Sequence, residues 1–105
     1  MDGVAFLVRQ TYKQDNLGQY VPDKETKDEI FVSEESITRT EFFSAGRNGM
    51  KPEAMLKTAS VNYSGQSEVE YEGTRYSIYR THKIPETDEI ELYLQKKAGV
   101  QNGKD

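Results

Sequence analysis

Residues 36–52, S-I-T-R-T-E-F-F-S-A-G-R-N-G-M-K-P, have the pattern of a short capped helix, although the segments on either side alternate as β-strands do. Thr38 and Glu41 form a capping box, in which the hydroxyl and the carboxylate each accept a hydrogen bond from a backbone N–H at the helix start. Gly46 and Gly49 can each adopt the left-handed conformation that ends a helix. The sequence therefore predicts a helix of two to three turns inserted between strands.

A helix this short is marginal in water, so it needs a further surface to stabilise it. Phe42 and Phe43 are adjacent and cannot both face inward from one short helix. Together with Met50, they are candidates for contact with another molecule. In the alternative interpretation, the insert (residues 38–51) is a structural plug over the open end of a barrel.

Six short segments outside the insert alternate apolar and polar residues, as half-buried strands do. Turn-forming residues separate them, and the polar run 14–26 has the composition of a loop or a wide hairpin connection. The sequence predicts an all-β fold, a small antiparallel β-barrel or sandwich of about six strands with one short helical insert between strands 2 and 3. We expect a single domain over residues 1–95 and a flexible C-terminal tail over residues 96–105.

The predicted strands cover residues 4–13, 29–37 and 53–63, a hairpin over 67–81, and a last strand around 90–94. In the third strand, Met55, Ala59, Val61 and Tyr63 are predicted to share one face.

The hairpin at residues 67–81 has a turn signal at residues 72–73, where glycine permits a positive φ. If these two residues form the loop, Val69 faces Tyr76 and Glu70 faces Arg75. A turn with a glycine bulge would instead shift the register by one residue and break both pairings. The two-residue loop predicts a cross-strand ion pair between Glu70 and Arg75.

Composition limits what the chain can be. Its 105 residues suffice for one domain, but only 34% are hydrophobic and a chain of this size buries ~65% of its unfolded surface, so assembly could supply missing burial. The absence of cysteine excludes disulfides and thiol nucleophiles. The N-terminus lacks a basic region and no apolar run reaches membrane-spanning length, so we expect neither secretion nor membrane insertion.

Sequence patterns typical of catalysis are missing. His82 is the only histidine, and it belongs to no recognisable nucleophile triad. Glu89 and Glu91 alternate on one strand face, which is more typical of a solvated surface than of a metal pair. No glycine-rich phosphate loop is present. We therefore expect a non-enzymatic protein with no catalytic residue, metal or cofactor.

One alternative is a small barrel that binds single-stranded nucleic acid. Phe31, Tyr76 and Tyr79 could stack on bases while Arg75 and Arg80 contact phosphates. Neighbouring glutamates would repel a phosphate backbone, and the net charge of −4 does not attract duplex DNA. This interpretation remains the second hypothesis from a different functional class.

The order of these features resembles a known family. A strand, the capped insert, a strand ending in V-N-Y-S-G, the hairpin V-E-Y-E-G-T-R-Y-S-I-Y-R-T and the strand D-E-I-E-L-Y-L occur in that order over residues 4–95. This arrangement is similar to the head closure proteins, also called head–tail adaptors or stoppers, of long-tailed double-stranded DNA bacteriophages. A tail completion protein from the same joint is the nearest alternative.

The resemblance implies a virion structural protein. It implies a β-barrel that forms a closed ring with copies of itself, contacts portal and adaptor proteins above and tail proteins below, and surrounds DNA without reading its sequence. It would assemble in the host cytoplasm and remain at the head–tail interface, with no membrane partner. The insert would contact the adaptor, or line and close the channel, and its candidate site residues are Arg39, Glu41, Phe42, Phe43, Arg47, Met50 and Lys51.

Overall fold

The structure, a computed structural model, describes residues 2–97. Within that range, six antiparallel strands close into a barrel in the order β1-β2-β3-β6-β5-β4, so the predicted all-β fold is confirmed as a barrel. The helical insert lies between strands 2 and 3, as predicted. The elements are β1 (Asp2–Gln14), β2 (Tyr20–Glu35), α1 (Arg39–Arg47), β3 (Ala54–Ala59), a 3₁₀ turn (Ser60–Asn62), β4 (Glu68–Tyr71), β5 (Thr74–Lys83) and β6 (Glu89–Lys96).

The core lies inside the barrel because alternate residues of each strand point inward. Leu7, Leu56, Val69, Leu92 and Leu94 are fully buried there. Each such side chain contributes about 2 kcal/mol of hydrophobic stabilisation. The alternation predicted for the last strand is therefore confirmed.

The hairpin of β4 and β5 has the predicted two-residue loop. Residues 72–73 both have positive φ, of 52° and 80°, and Val69 pairs with Tyr76. Glu70 is also opposite Arg75, but the predicted ion pair is wrong. The Arg75 guanidinium instead reaches Glu25 at 3.1 Å and a second carboxylate at 2.8 Å, because a long side chain can reach diagonal neighbours.

The predicted loop over residues 14–26 is wrong for most of its length. β2 begins at Tyr20, and only residues 15–19 connect it to β1. The Asp15 carboxylate accepts hydrogen bonds from the N–H groups of Leu17 and Gln19 at 2.8 and 2.9 Å, which forms the turn. Residues 9–14 of β1 and 20–26 of β2 pair only with each other, so this part of the hairpin is an arm of the barrel without a buried apolar face.

The third and last strands also differ from their predicted bounds. β3 ends at Ala59, and Val61 is 88% exposed in the 3₁₀ turn, so the face predicted to continue to Tyr63 does not exist. At the other end, β6 includes Lys96, and the Lys97 ammonium pairs with Glu68 at 2.8 Å. The predicted tail is therefore wrong for residues 96–97, and its remainder lies outside the described residues.

Candidate interaction surface on the helical insert

The helix α1 begins as predicted at its N-cap. Thr38 has an extended backbone, and its hydroxyl accepts a hydrogen bond from the Glu41 N–H at 3.1 Å. The second half of the capping box is wrong, since the Glu41 carboxylate does not turn back to the N-cap. It accepts hydrogen bonds from the Tyr79 hydroxyl at 2.7 Å and from Arg80 Nη2 at 2.6 Å. Glu41 therefore attaches the helix to the outside of the barrel.

A β-bulge in β5 creates this attachment point. Ile78 pairs with Leu94 and Arg80 pairs with Tyr93, so Tyr79 is an extra residue in β5. A bulge re-aims side chains, and here it lets two consecutive residues, Tyr79 and Arg80, bond to the same carboxylate. No residue in this stretch signals a bulge, so sequence reasoning could not identify Tyr79 and Arg80 as partners of the insert.

The charges at this attachment point support one another. The hydrogen bond from Arg80 lowers the pKa of Glu41, although the carboxylate side chain is only 11% exposed and burial opposes that shift. Burial and the bond to Glu41 raise the pKa of the Tyr79 hydroxyl. The Arg80 guanidinium also lies 4.2 Å from the centre of the Tyr93 ring, a cation–π contact. Glu41 is therefore ionised, and Tyr79 is a neutral donor, at neutral pH.

The helix ends with a complete Schellman motif. The N–H groups of Gly49 and Met50 donate to the carbonyl oxygens of Gly46 and Ala45 at 3.1 and 3.0 Å. Gly49 has the predicted positive φ, of 82°, whereas Gly46 remains within the helix. The chain then returns to the barrel, where Lys51 N–H donates to the side-chain oxygen of Gln95 at 3.0 Å.

Met50 lies on the barrel side of the insert. Its sulfur accepts a hydrogen bond from the Gln95 amide at 3.4 Å. It also lines a cavity of about 290 Å³ between the helix and β5, along with Ala45 and Tyr79. Of the seven predicted site residues, Glu41 and Met50 therefore connect the insert to the barrel.

The side chains of the other five predicted site residues are exposed to solvent. Phe42 and Phe43 are 52% and 59% exposed, and their rings meet edge to face with centroids 6.0 Å apart. Arg39, Arg47 and Lys51 are exposed, and none of them forms an ion pair with another residue of the range 2–97. We call these five residues the insert face.

Most residues of the predicted nucleic-acid platform have partners within the barrel or the insert. Arg75 and Arg80 are paired with carboxylates, and Tyr76 packs against the core. Tyr79 bonds to the insert, and Phe31 is exposed on β2. Arg75, Arg80 and Tyr79 are therefore engaged within the chain, and the nucleic-acid-binding hypothesis stays a prediction.

The single histidine has a structural partner. His82 Nδ1 lies 3.0 Å from a Glu91 oxygen, and that oxygen also accepts a hydrogen bond from the Tyr93 hydroxyl. Over residues 2–97, no three acidic or histidine side chains come together in a group that could hold a metal ion. In the same range, no helix has the length and apolar character needed to span a bilayer.

No protein-family model matches this sequence, and no curated protein matches it significantly.

Proposed function

We propose that this protein is a head closure subunit, a non-enzymatic part of the connector between the head and the tail of a long-tailed bacteriophage. It would dock on the portal and adaptor proteins, help to retain the packaged DNA and provide the surface to which the tail attaches. Two features support the proposal together: the order of sequence elements that resembles this family, and a closed barrel that carries the insert at the position expected from that resemblance.

The observation that carries the proposal is the exposed pair Phe42 and Phe43 on an anchored helix. Burying one phenylalanine side chain contributes about 1.5–3 kcal/mol, and these two rings leave more than half of their surface in water. Glu41 holds the helix against β5, which lowers the entropy cost of docking because the helix is already ordered. Such a surface is suited to permanent contact with another protein of a large particle.

The charges of the insert face suit the same location. Arg39, Arg47 and Lys51 have no ionic partner among the described residues, so they are available to an acidic protein surface or to phosphates. The whole chain nevertheless has a net charge of −4, which opposes tight binding of DNA along the remaining surface. A positive insert face on a negatively charged chain favours docking at that face alone, while DNA in the channel remains free to slide.

Removing the protein from the phage that encodes it tests the function. We expect heads that package DNA but lose it, together with free tails, as seen by electron microscopy and by measuring nuclease-sensitive DNA. Virions that retain their genomes and join tails normally would exclude the proposal. Heads that retain DNA but carry incomplete tails would indicate a tail completion protein instead.

A variant tests the insert itself. Phe42→Asp with Phe43→Asp should prevent purified protein from binding to DNA-filled heads and restoring tail attachment. Leu17→Asp is the matched control, because Leu17 is also an exposed apolar residue but lies in the β1–β2 turn. If both variants lost head binding equally, the insert would not be part of the docking surface.

A further inference from the structure

A groove opens where β2 and β3 separate. The two strands pair only between residues 33–35 and 55–57, and beyond Lys57 they diverge around a cavity of about 550 Å³. Thr58 contributes one hydrogen bond across the gap, from its hydroxyl to the carbonyl oxygen of Phe31 at 2.8 Å. The groove is therefore part of the fold and lies away from the insert, at the other end of β3.

The groove combines apolar surface with negative charge. Phe31 lines it with 79% of its surface exposed, and Val61 is exposed in the adjoining 3₁₀ turn. Asp2 and Glu89 also line it, and within residues 2–97 neither carboxylate has an ion-pair or hydrogen-bond partner. The one cation in its lining, Lys57, pairs weakly with Glu35 at 3.9 Å. An occupant that fits this groove is aromatic and positively charged.

The insert face has that chemistry. It presents two exposed phenylalanine rings between cations that have no ionic partner in the described part of the chain. We propose that the groove between β2 and β3 receives the insert face of a second copy of this chain. This inference rests on the proposed function and names the partner of its docking surface.

The placement of the two surfaces determines the kind of assembly. β3 runs from Ala54, after the insert, to Ala59 at the groove, roughly 17 Å along the strand. A contact between two different surfaces of identical subunits is heterologous, so it generates either a closed ring or an open filament. Nucleic acid does not fit the groove, because Asp2 and Glu89 would repel its phosphates.

Charge reversal tests the proposal on the full chain. The groove variant carries Asp2→Lys and Glu89→Lys, and the insert variant carries Arg39→Glu and Arg47→Glu. In each variant alone the two surfaces repel each other. The concentration at which half of the protein is associated, measured by sedimentation velocity, should therefore be at least tenfold higher than for the wild type. An equimolar mixture of the two variants should associate again, because each then meets a surface of opposite charge.

Lys24→Glu and Glu72→Lys are the matched controls, since both reverse exposed charges outside the groove and the insert face and should associate as the wild type does. Circular dichroism establishes that every variant is folded. The proposal is overturned if the wild type stays monomeric up to about 1 mM, the weak end of specific association. It is also overturned if both variants associate normally, or if the mixture does not recover.

The two proposals fail separately. If the charge-reversal experiment fails while Phe42→Asp with Phe43→Asp still blocks head binding, the function stands and the insert docks on a different protein. If self-association is confirmed but virions without the protein are normal, the ring has another role.

Discussion

Arg80 and Glu41 are 39 residues apart in the sequence, yet their guanidinium and carboxylate groups meet at 2.6 Å and join strand β5 to the inserted helix. The carboxylate side chain is nearly buried, whereas the guanidinium is partly open to water. This pair, with the Tyr79 hydroxyl, is the main polar link between α1 and the barrel.

Loss of that link should release the helix more than it destabilises the barrel. Arg80→Ala is expected to lower the free energy of unfolding by about 1 kcal/mol, because the pair is partly screened by solvent. The amides of α1 should meanwhile exchange with deuterium much faster than in the wild type. Urea denaturation and hydrogen exchange measure the two effects, and unchanged exchange in α1 would contradict the role of Arg80.

Acidification should act through the same carboxylate. The hydrogen bond from Arg80 lowers the pKa of Glu41 in the folded protein, so the unfolded chain binds more protons at acidic pH. The stabilisation by Glu41 is therefore complete above the ordinary glutamate pKa of about 4.3 and disappears as the pH falls through the lower, folded pKa. In the Glu41→Gln variant, the loss of exchange protection of the α1 amides between about pH 6 and pH 3, relative to an unfolded chain at the same pH, should be smaller than in the wild type.

The glycines of the insert should respond in opposite directions to the same substitution. Gly49→Ala should destabilise by about 1 kcal/mol, because its φ of 82° is unfavourable for any residue with a Cβ atom. Gly46→Ala should stabilise by about 0.5–1 kcal/mol, because it lies in the helix and a Cβ there meets no atom within 4 Å. Thermal unfolding of the two variants compares them, and a shift of the same sign in both would show that the Schellman motif is not maintained in solution.

The insert face should contribute little to the stability of the free subunit. Phe42→Asp with Phe43→Asp is expected to change the free energy of unfolding by less than about 1 kcal/mol, since each ring is more than half exposed. Urea denaturation tests this, with Leu92→Ala as a destabilising control that should cost about 2–5 kcal/mol in the fully buried core. A double variant that unfolds like the core control would place both rings in the monomer core.

The sequence predicted those parts of the fold in which one face is buried. Leu92 and Leu94 alternate with polar residues, and the turn at residues 72–73 determines the register of its hairpin. The β1 half of the arm was predicted as a strand, but its β2 half, residues 20–26, was missed. Neither face of that half packs on the core, and a strand without a buried face shows no alternation of apolar residues.

The site was predicted in part for a related reason. Local rules identified the N-cap at Thr38 and the left-handed Gly49, because those depend on neighbours in the chain. The true partners of Glu41 come from a bulge in β5, which is a property of strand pairing and not of local sequence. The adjacency of Phe42 and Phe43 predicted only that both rings cannot face inward, and the structure exposes both of them.

The arm of β1 and β2 exposes two backbone edges, and this carries a risk of polymerisation by strand addition. Its sequence counters that risk. Pro22 has no N–H to offer a foreign strand, and Lys24 adds charge next to it. A ribbon protected in this way can extend from the barrel without seeding amyloid-like aggregates. Replacing Pro22 and Lys24 with valine would therefore remove two safeguards against fibre formation while the barrel itself stayed intact.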